Sequence, residues 1–409
     1  MPNSHEEKAR PPAPLGPLDP FAVPYFGLVW STSLLSNIGT LVQATAAAWL
    51  MTTLTSSTQL VALVQTAVTL PVVLFALPVG VMADMFDRRN LLLAALVFML
   101  AASAALAACV LAGAITPTIL LALVFLVGCG TALYAPAWQA SIRDIVPTHQ
   151  VPAAVGLNSL AFNFARTAGP ALGGALVSAL GAAAAFVANA VTYLFLIAAI
   201  YVWRPIKHAQ APVRLDLAAA LGDGIRYMAA APTSRRMLIR VAAFGAASMA
   251  APALAPLIVR DLLRADVGVY GFLLAAFGVG AMLGSFACVS LRQRWSTDFI
   301  VRAASLASGV GAIGMGLSDQ LTWTLAAFAL SGAAWAIALP SINVSLQLAA
   351  PTWLVGRVMG IYQMCLYGSG AFAGWVWGEA AAYLGLGAAL VLSGVAQLPN
   401  LLMGERVQT

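Results

Sequence analysis

The chain has 409 residues, 61% of them hydrophobic and 8% charged, with a mean hydropathy of +0.91. Soluble globular proteins carry about 25% charged residues, so this composition excludes a soluble enzyme or binding domain and places the chain in the membrane class. The net charge is +6, but the basic residues are scattered between apolar runs, which excludes a clustered nucleic-acid-binding face.

Residues 1–20, MPNSHEEKARPPAPLGPLDP, mix charges with prolines and read as a disordered cytosolic tail. A spanning helix needs about 20 mostly apolar residues. Twelve such runs follow, at 24–51, 59–83, 90–113, 117–140, 154–180, 182–203, 237–260, 268–291, 299–317, 321–345, 357–383 and 385–403. The fifth and sixth are divided only at Gly181, and the last two only at Leu384–Gly387. The longest polar stretch, 204–236, separates spans 21–203 from spans 237–404 and leaves a short tail at 405–409. Within it, Leu215, Leu217, Leu221, Ile225 and Met228 fit one apolar face of a helix lying on the inner membrane surface.

The positive-inside rule sets the orientation. With the N-terminus inside, the basic residues outside the membrane fall on the inner side except Arg260 and Arg264. An even span count then puts both termini in the cytosol.

A shift of 204 residues superimposes punctuating residues without gaps. Gly80 meets Gly284, Arg88 meets Arg292, Gly128 meets Gly332, and Pro136 meets Pro340. Ser141 meets Ser345, Pro147-Thr148 meets Pro351-Thr352, Gly156 meets Gly360, and Gly174 meets Gly378. Two repeated six-helix halves enclosing a path near the midplane is a secondary-transporter architecture. The expected fold is therefore an all-α membrane protein of 12 transmembrane helices in two pseudo-symmetric six-helix bundles.

Two motifs carry a resemblance to the major facilitator superfamily. In GVMADMFDRRN, Gly80, Asp84, Arg88 and Arg89 fit the family pattern between spans two and three, while Met85 and Asp87 depart from it. The resemblance implies that Asp84 latches onto the start of span eleven near Arg357 when the outer gate is open, with Arg143 as an alternative partner. In span five, Gly156, Ala165, Gly169-Pro170 and Gly173-Gly174 resemble the glycine-proline motif of the exporting branches, with Ala165 in place of one glycine. Small residues there admit a neighbouring helix, and Pro170 removes a backbone hydrogen bond. NSLAFNFARTAGPALGG and LQLAAPTWLVGRVMG resemble the branch of siderophore exporters and transmembrane secretion effectors.

Arg166 lies about 18 Å into span five at 1.5 Å per residue. A charge at that depth costs roughly 2.5–3.5 kcal/mol on insertion scales and usually faces a cavity or a partner. Lining or gating a substrate path, or pairing with carbonyls for structure, are both open at this point. Ser33, Asn37 and Thr40 share a face of span one by spacing, Gln65 and Thr69 do so in span two, and Asn163 sits three residues before Arg166. Gln363 and Tyr367 share a face of span eleven, and Trp335 lies mid-span in ten. All are candidates for the path wall. No Asp or Glu lies at the centre of a span, so Asp84, Glu379 or the substrate itself remain as proton carriers.

Cys109, Cys129, Cys288 and Cys365 lie far apart in apolar runs, and His5, His149 and His208 fall in polar segments. No catalytic residues, metal site or cofactor are expected, and the glycines of FGVGAMLG follow no strand. The expectation is a monomeric bacterial inner-membrane exporter of small amphipathic molecules, drug or siderophore in class. Its partners would be that substrate, the lipid bilayer and, as a candidate coupling ion, protons. An uptake or lipid-flipping permease of the same fold, or a non-transporting membrane receptor or assembly partner, are the alternatives.

Overall fold

The computed structural model describes residues 18–85, 87–204, 226–351 and 354–403, the side chains of 76–85, Val289 and Gly356 excepted. The expected tails, apart from residues 18–20, of which Asp19 and Pro20 begin a short 3-10 helix, and the face formed by Leu215, Leu217, Leu221 and Ile225, lie outside the described residues. So do the side chains of Gly80 and Asp84.

Among the described residues, twelve helical stretches correspond to the expected spans. They are α1 (Phe26–Leu54), α2 (Thr58–Met85), α3 (Arg88–Leu111), α4 (Pro117–Ile145), α5 (Val151–Leu180) and α6 (Ala182–Val202). The second set is α7 (Pro232–Leu262), α8 (Val267–Arg294), α9 (Thr297–Leu317), α10 (Leu321–Ala349), α11 (Val355–Leu384) and α12 (Leu386–Leu402). Among the described residues, nine of these are long and apolar enough to cross a membrane. The other three are α5, α11 and the shorter α12. At 30 residues each, α5 and α11 have the length but are too rich in glycine and polar side chains.

Local chemistry starts and stops these helices. Thr116 accepts a hydrogen bond from the Ile119 amide just ahead of Pro117, Ser296 from Phe299, and Asp266 from Gly268 and Val269. Each satisfies an amide that the first turn leaves without a partner. Gly181 and Gly385 have φ of +81° and +87°, a left-handed backbone that glycine adopts without steric cost. They let α5 turn into α6, and α11 into α12, within one residue. They also stand 204 apart, so the weak breaks in the sequence are real boundaries and repeat mates.

The repeat holds in the packing as well. Pro136 and Pro340 sit inside α4 and α10. A Cβ on Gly128 would meet α2 at Pro71 and Ala67, and one on Gly332 would meet α8 at Phe277 and Ala281. The pairs α2–α4 and α8–α10 are thus equivalent close approaches.

The core is asymmetric from one end of the molecule to the other. Towards the α1–α2 turn, one buried cluster spans both bundles, from Val42, Met51, Leu106 and Phe186 to Leu254, Tyr270, Phe328 and Leu390. Towards the opposite end the cores are separate. One holds Leu92, Trp138, Tyr193 and Trp203, and the other Phe244, Val301, Leu346 and Tyr362.

Candidate functional site

Two helix pairs join the bundles. In the first, α5 meets α8. A Cβ on Gly174 would lie 2.7 Å from the Val267 carbonyl oxygen and 3.0 Å from Gly271 Cα, and one on Gly271 would lie 2.7 Å from the Pro170 carbonyl oxygen. One turn or more deeper, Gly278 approaches Thr167 Cα at 2.8 Å and the Arg166 carbonyl oxygen at 2.9 Å by the same measure. These backbones touch because neither side carries a side chain there. In the second pair, α2 meets α11. Gly378 packs on Ala62 and Gln59, Gly374 packs on Thr66, and the Thr66 hydroxyl donates to the Ala371 carbonyl at 2.8 Å. Gly174 and Gly378, repeat mates in sequence, hold equivalent places in the two contacts.

Arg166 stands where α5 leaves this contact. Its side chain is half-buried, with the guanidinium 6.0 Å from the centre of the Phe277 ring of α8. Tyr367 of α11 is close enough to interact with it electrostatically. Among the described residues no carboxylate pairs with it. Tyr367 is 38% exposed, and Gln363 one turn away is exposed too. Arg166 and Phe277 thus approach each other across α5 and α8, with Tyr367 of α11 within electrostatic reach of the cation.

The remaining candidates divide. Asn37, Gln65 and Asn163 are half-buried on α1, α2 and α5. Ser33 is buried. Thr40 turns towards α6 instead, where its hydroxyl and that of Tyr193 are 3.1 Å apart. Beside it, Gln43 accepts from Asn189 at 2.9 Å, so this side of α1 is an interface within its own bundle. In α2 the Thr69 hydroxyl bonds back to the Gln65 carbonyl, and it is Thr66 that reaches across to the other bundle. The run Thr58, Ala62, Thr66, with small residues every fourth position, is the signal that marks this contact face. Trp335 is half-buried between α10 and α7, its ring 6.2 Å from Phe244. Phe277 had no sequence signal, because an aromatic residue in an apolar span looks the same wherever it points.

The basic residues after α2 have local partners. Arg88 pairs with Asp144 of α4 at 3.1 Å and donates to the Ala140 carbonyl. Arg89 donates to the Ile200 and Tyr201 carbonyls and lies over the Tyr201 ring. The cation thus meets the negative end of the α6 dipole, and both arginines tie α3 to its own bundle. Arg143 lies in the last turn of α4 and Arg357 in the first turns of α11. In α5, Gly169 and Gly173 pack on α1 at Leu41, Val42 and Thr45. Gly156 does not share this close packing: a Cβ there would meet nothing within 4 Å, and the same is true of its mate Gly360.

A multidrug efflux pump, Tap, of Mycolicibacterium fortuitum is 26% identical over 389 residues, covering 92% of this chain and 93% of its own. An uncharacterized transporter of the major facilitator type from Bacillus subtilis, YfiS, is 25% identical over 351 residues, covering 80% and 81%. Among solved structures, a bacterial homologue of the human lysosomal transporter Spinster, in an inward-facing and unoccupied conformation, is similar in fold. Its TM-score is 0.70 at 16% identity, over 93% of this chain and 95% of that one. The profile of the transmembrane secretion effector family matches residues 15–409. With its repeated bundles and the α5–α8 and α2–α11 contacts, the chain belongs to that family, within the major facilitator superfamily of membrane transporters.

Proposed function

We propose that this protein exports small amphipathic molecules by alternating access, and that Arg166 binds an anionic group on the substrate. The observation that carries this reading is the guanidinium itself. It sits between the bundles, over Phe277 and beside Tyr367, with no carboxylate partner among the described residues. A charge at this depth of a span without a counter-ion is costly, and a substrate anion offsets that cost only while it is bound. Phe277 and Tyr367 give the surroundings an aromatic character that suits a flat apolar body. The glycine-proline stretch of α5 and the efflux pump among the relatives support outward transport.

By the positive-inside reading the chain is a bacterial inner-membrane protein with both termini cytosolic, acting as a monomer. The joined end of the core then faces outside and the separate cores face the cytosol, the inward-facing arrangement of the Spinster homologue. Asp84 pairs with the start of α11 near Arg357 when that inner end closes. Residues 21–203 and 237–404 are the moving bundles, and 204–236 links them. Protons are the candidate counter-ion, with Asp84, Glu379 or the substrate as carrier.

The test is uptake of anionic and cationic amphipathic dyes into inside-out vesicles. R166A is expected to lose anionic transport about tenfold or more, the effect of one charge-assisted contact worth roughly 1.5–3 kcal/mol, while R166K retains part of it. Unchanged anionic transport by R166A at normal expression removes the role of Arg166. Equal accumulation with and without an imposed pH gradient removes proton antiport.

A further inference from the structure

Arg260 and Arg264 are the two basic residues that the positive-inside reading leaves on the outer side. Arg260 is held by a particular backbone. Residues Ile258–Leu262 form a π-helical turn at the end of α7, closed by the Leu263 amide bonding to the Ile258 carbonyl at 2.9 Å. Such turns are rare and concentrate at functional positions. This one places Arg260 next to Asp261 in a two-pronged pair, Nε to Oδ1 at 2.6 Å and Nη2 to Oδ2 at 2.9 Å.

That leaves Nη1, which crosses to the other bundle. It donates to the Thr52 carbonyl at 3.0 Å and to the Thr55 carbonyl at 3.3 Å. These oxygens belong to the last turn and cap of α1, where a helix leaves carbonyls without internal partners and its dipole is negative. The guanidinium thus caps α1 from the opposite bundle. Directly beneath it the two bundles meet through apolar groups. The Trp49 and Tyr270 rings stack at 6.0 Å, and Met51, Leu257, Ile258 and Val259 are fully buried.

We infer that Arg260 is the outer-gate latch of this transporter, a charge-assisted clasp across the bundle boundary that closes over the apolar seal, with Asp261 as the positioning residue that aims it. When the outer end opens, α7 and α1 part, Nη1 loses both carbonyls, and water replaces it. When the end closes the clasp forms again. The pair with Asp261 lies within one bundle, so it persists through both states and keeps the guanidinium extended towards α1. The latch therefore weights the equilibrium between the two states without touching substrate. It rests on the alternating-access reading above and is independent of substrate and direction.

The test uses full-length protein in nanodiscs, with Cys109, Cys129, Cys288 and Cys365 replaced by alanine. Spin-label pairs at S56C with Q320C report the outer end, and at H149C with L348C the inner end. Distance distributions are read by pulsed electron resonance. R260Q is expected to raise the ratio of outer-open to outer-closed protein about tenfold, the scale of lost charge-assisted hydrogen bonds, with the inner pair moving the opposite way. D261N is expected to shift the ratio in the same direction by less, and R260K to recover part of it. Two anti-correlated populations in the parent protein whose ratio R260Q leaves unchanged would overturn the latch and leave alternating access standing. A single unmoving distance at both ends in every variant would remove both. A fall in thermal stability with unchanged distributions makes Arg260 a structural anchor and also overturns the proposal.

Discussion

The two ends of α5 differ as much as any two regions of the molecule. Near its C-terminus, Gly174 is pressed against the α8 backbone, and near its N-terminus Gly156 has open space around it. The repeat mates Gly378 and Gly360 on α11 show the same division. The cross-bundle hydrogen bonds of Thr58, Thr66 and Arg260 all belong to the pressed end. At the other end the ion pairs Arg88–Asp144 and Arg240–Asp298 each stay within one bundle. A seam that is zipped at one end and slack at the other is what two rigid bodies rocking about a central site require. In the alternating access proposed above, backbone contacts made without side chains would part and re-form with no rotamer to be repacked.

The largest expected effect concerns the rigidity of one bundle. Arg240 is 8% exposed and bonds to Asp298 at 2.6 Å and to the Asn400 carbonyl at 3.3 Å, joining α7, α9 and α12. Arg240→Ala removes a charge-assisted bond to a half-buried carboxylate that keeps Arg302 as a partner at 2.9 Å, so thermal unfolding should show a loss of about 1.5–3 kcal/mol. A smaller loss would mean that the slack end is soft within the bundle as well as between bundles. Next is Gly174→Val, whose side chain meets backbone that cannot turn away. Overpacking of this kind costs about 1–3 kcal/mol, and spin labels at the outer end should read a wider gap. Thr66→Val removes one cross-bundle hydrogen bond, about 0.5–1.5 kcal/mol net, again with the outer end loosened. Gly156→Val should leave thermal stability unchanged, because nothing stands within 4 Å of its Cβ. If the slack end must close during the cycle, that variant should nonetheless transport more slowly. Unimpaired transport by Gly156→Val would break the comparison at its open end.

Much of this fold was legible in the residues. The apolar runs, the offset of 204 and the Gly181 break correspond to the helices, equivalent contacts and positive-φ turns described above. Arg166 stood out because a lone charge in a span is rare. Thr40 and Thr66 were harder. Thr40 shares a spacing with Ser33 and Asn37, yet its hydroxyl faces Tyr193 inside the bundle. On α2, where Gln65 and Thr69 were the candidates for the path wall, it is Thr66 that bonds to the other bundle. In a soluble helix the water-facing side is polar, so periodicity marks the buried face. In a spanning helix lipid and protein interior are equally apolar, and that contrast disappears.

The sequence by itself determined the order of the apolar helical runs and that they come in two matching sets. The reason is that a chain in hydrocarbon must pair its backbone groups within each segment, and apolar length records that directly. Tertiary structure alone decided which face of each helix meets which neighbour. It brought Arg166, Phe277 and Tyr367 together from three helices, and it set Arg260 over the end of α1. Those choices depend on the fit of small residues between helices, a property of pairs of surfaces that no single segment carries.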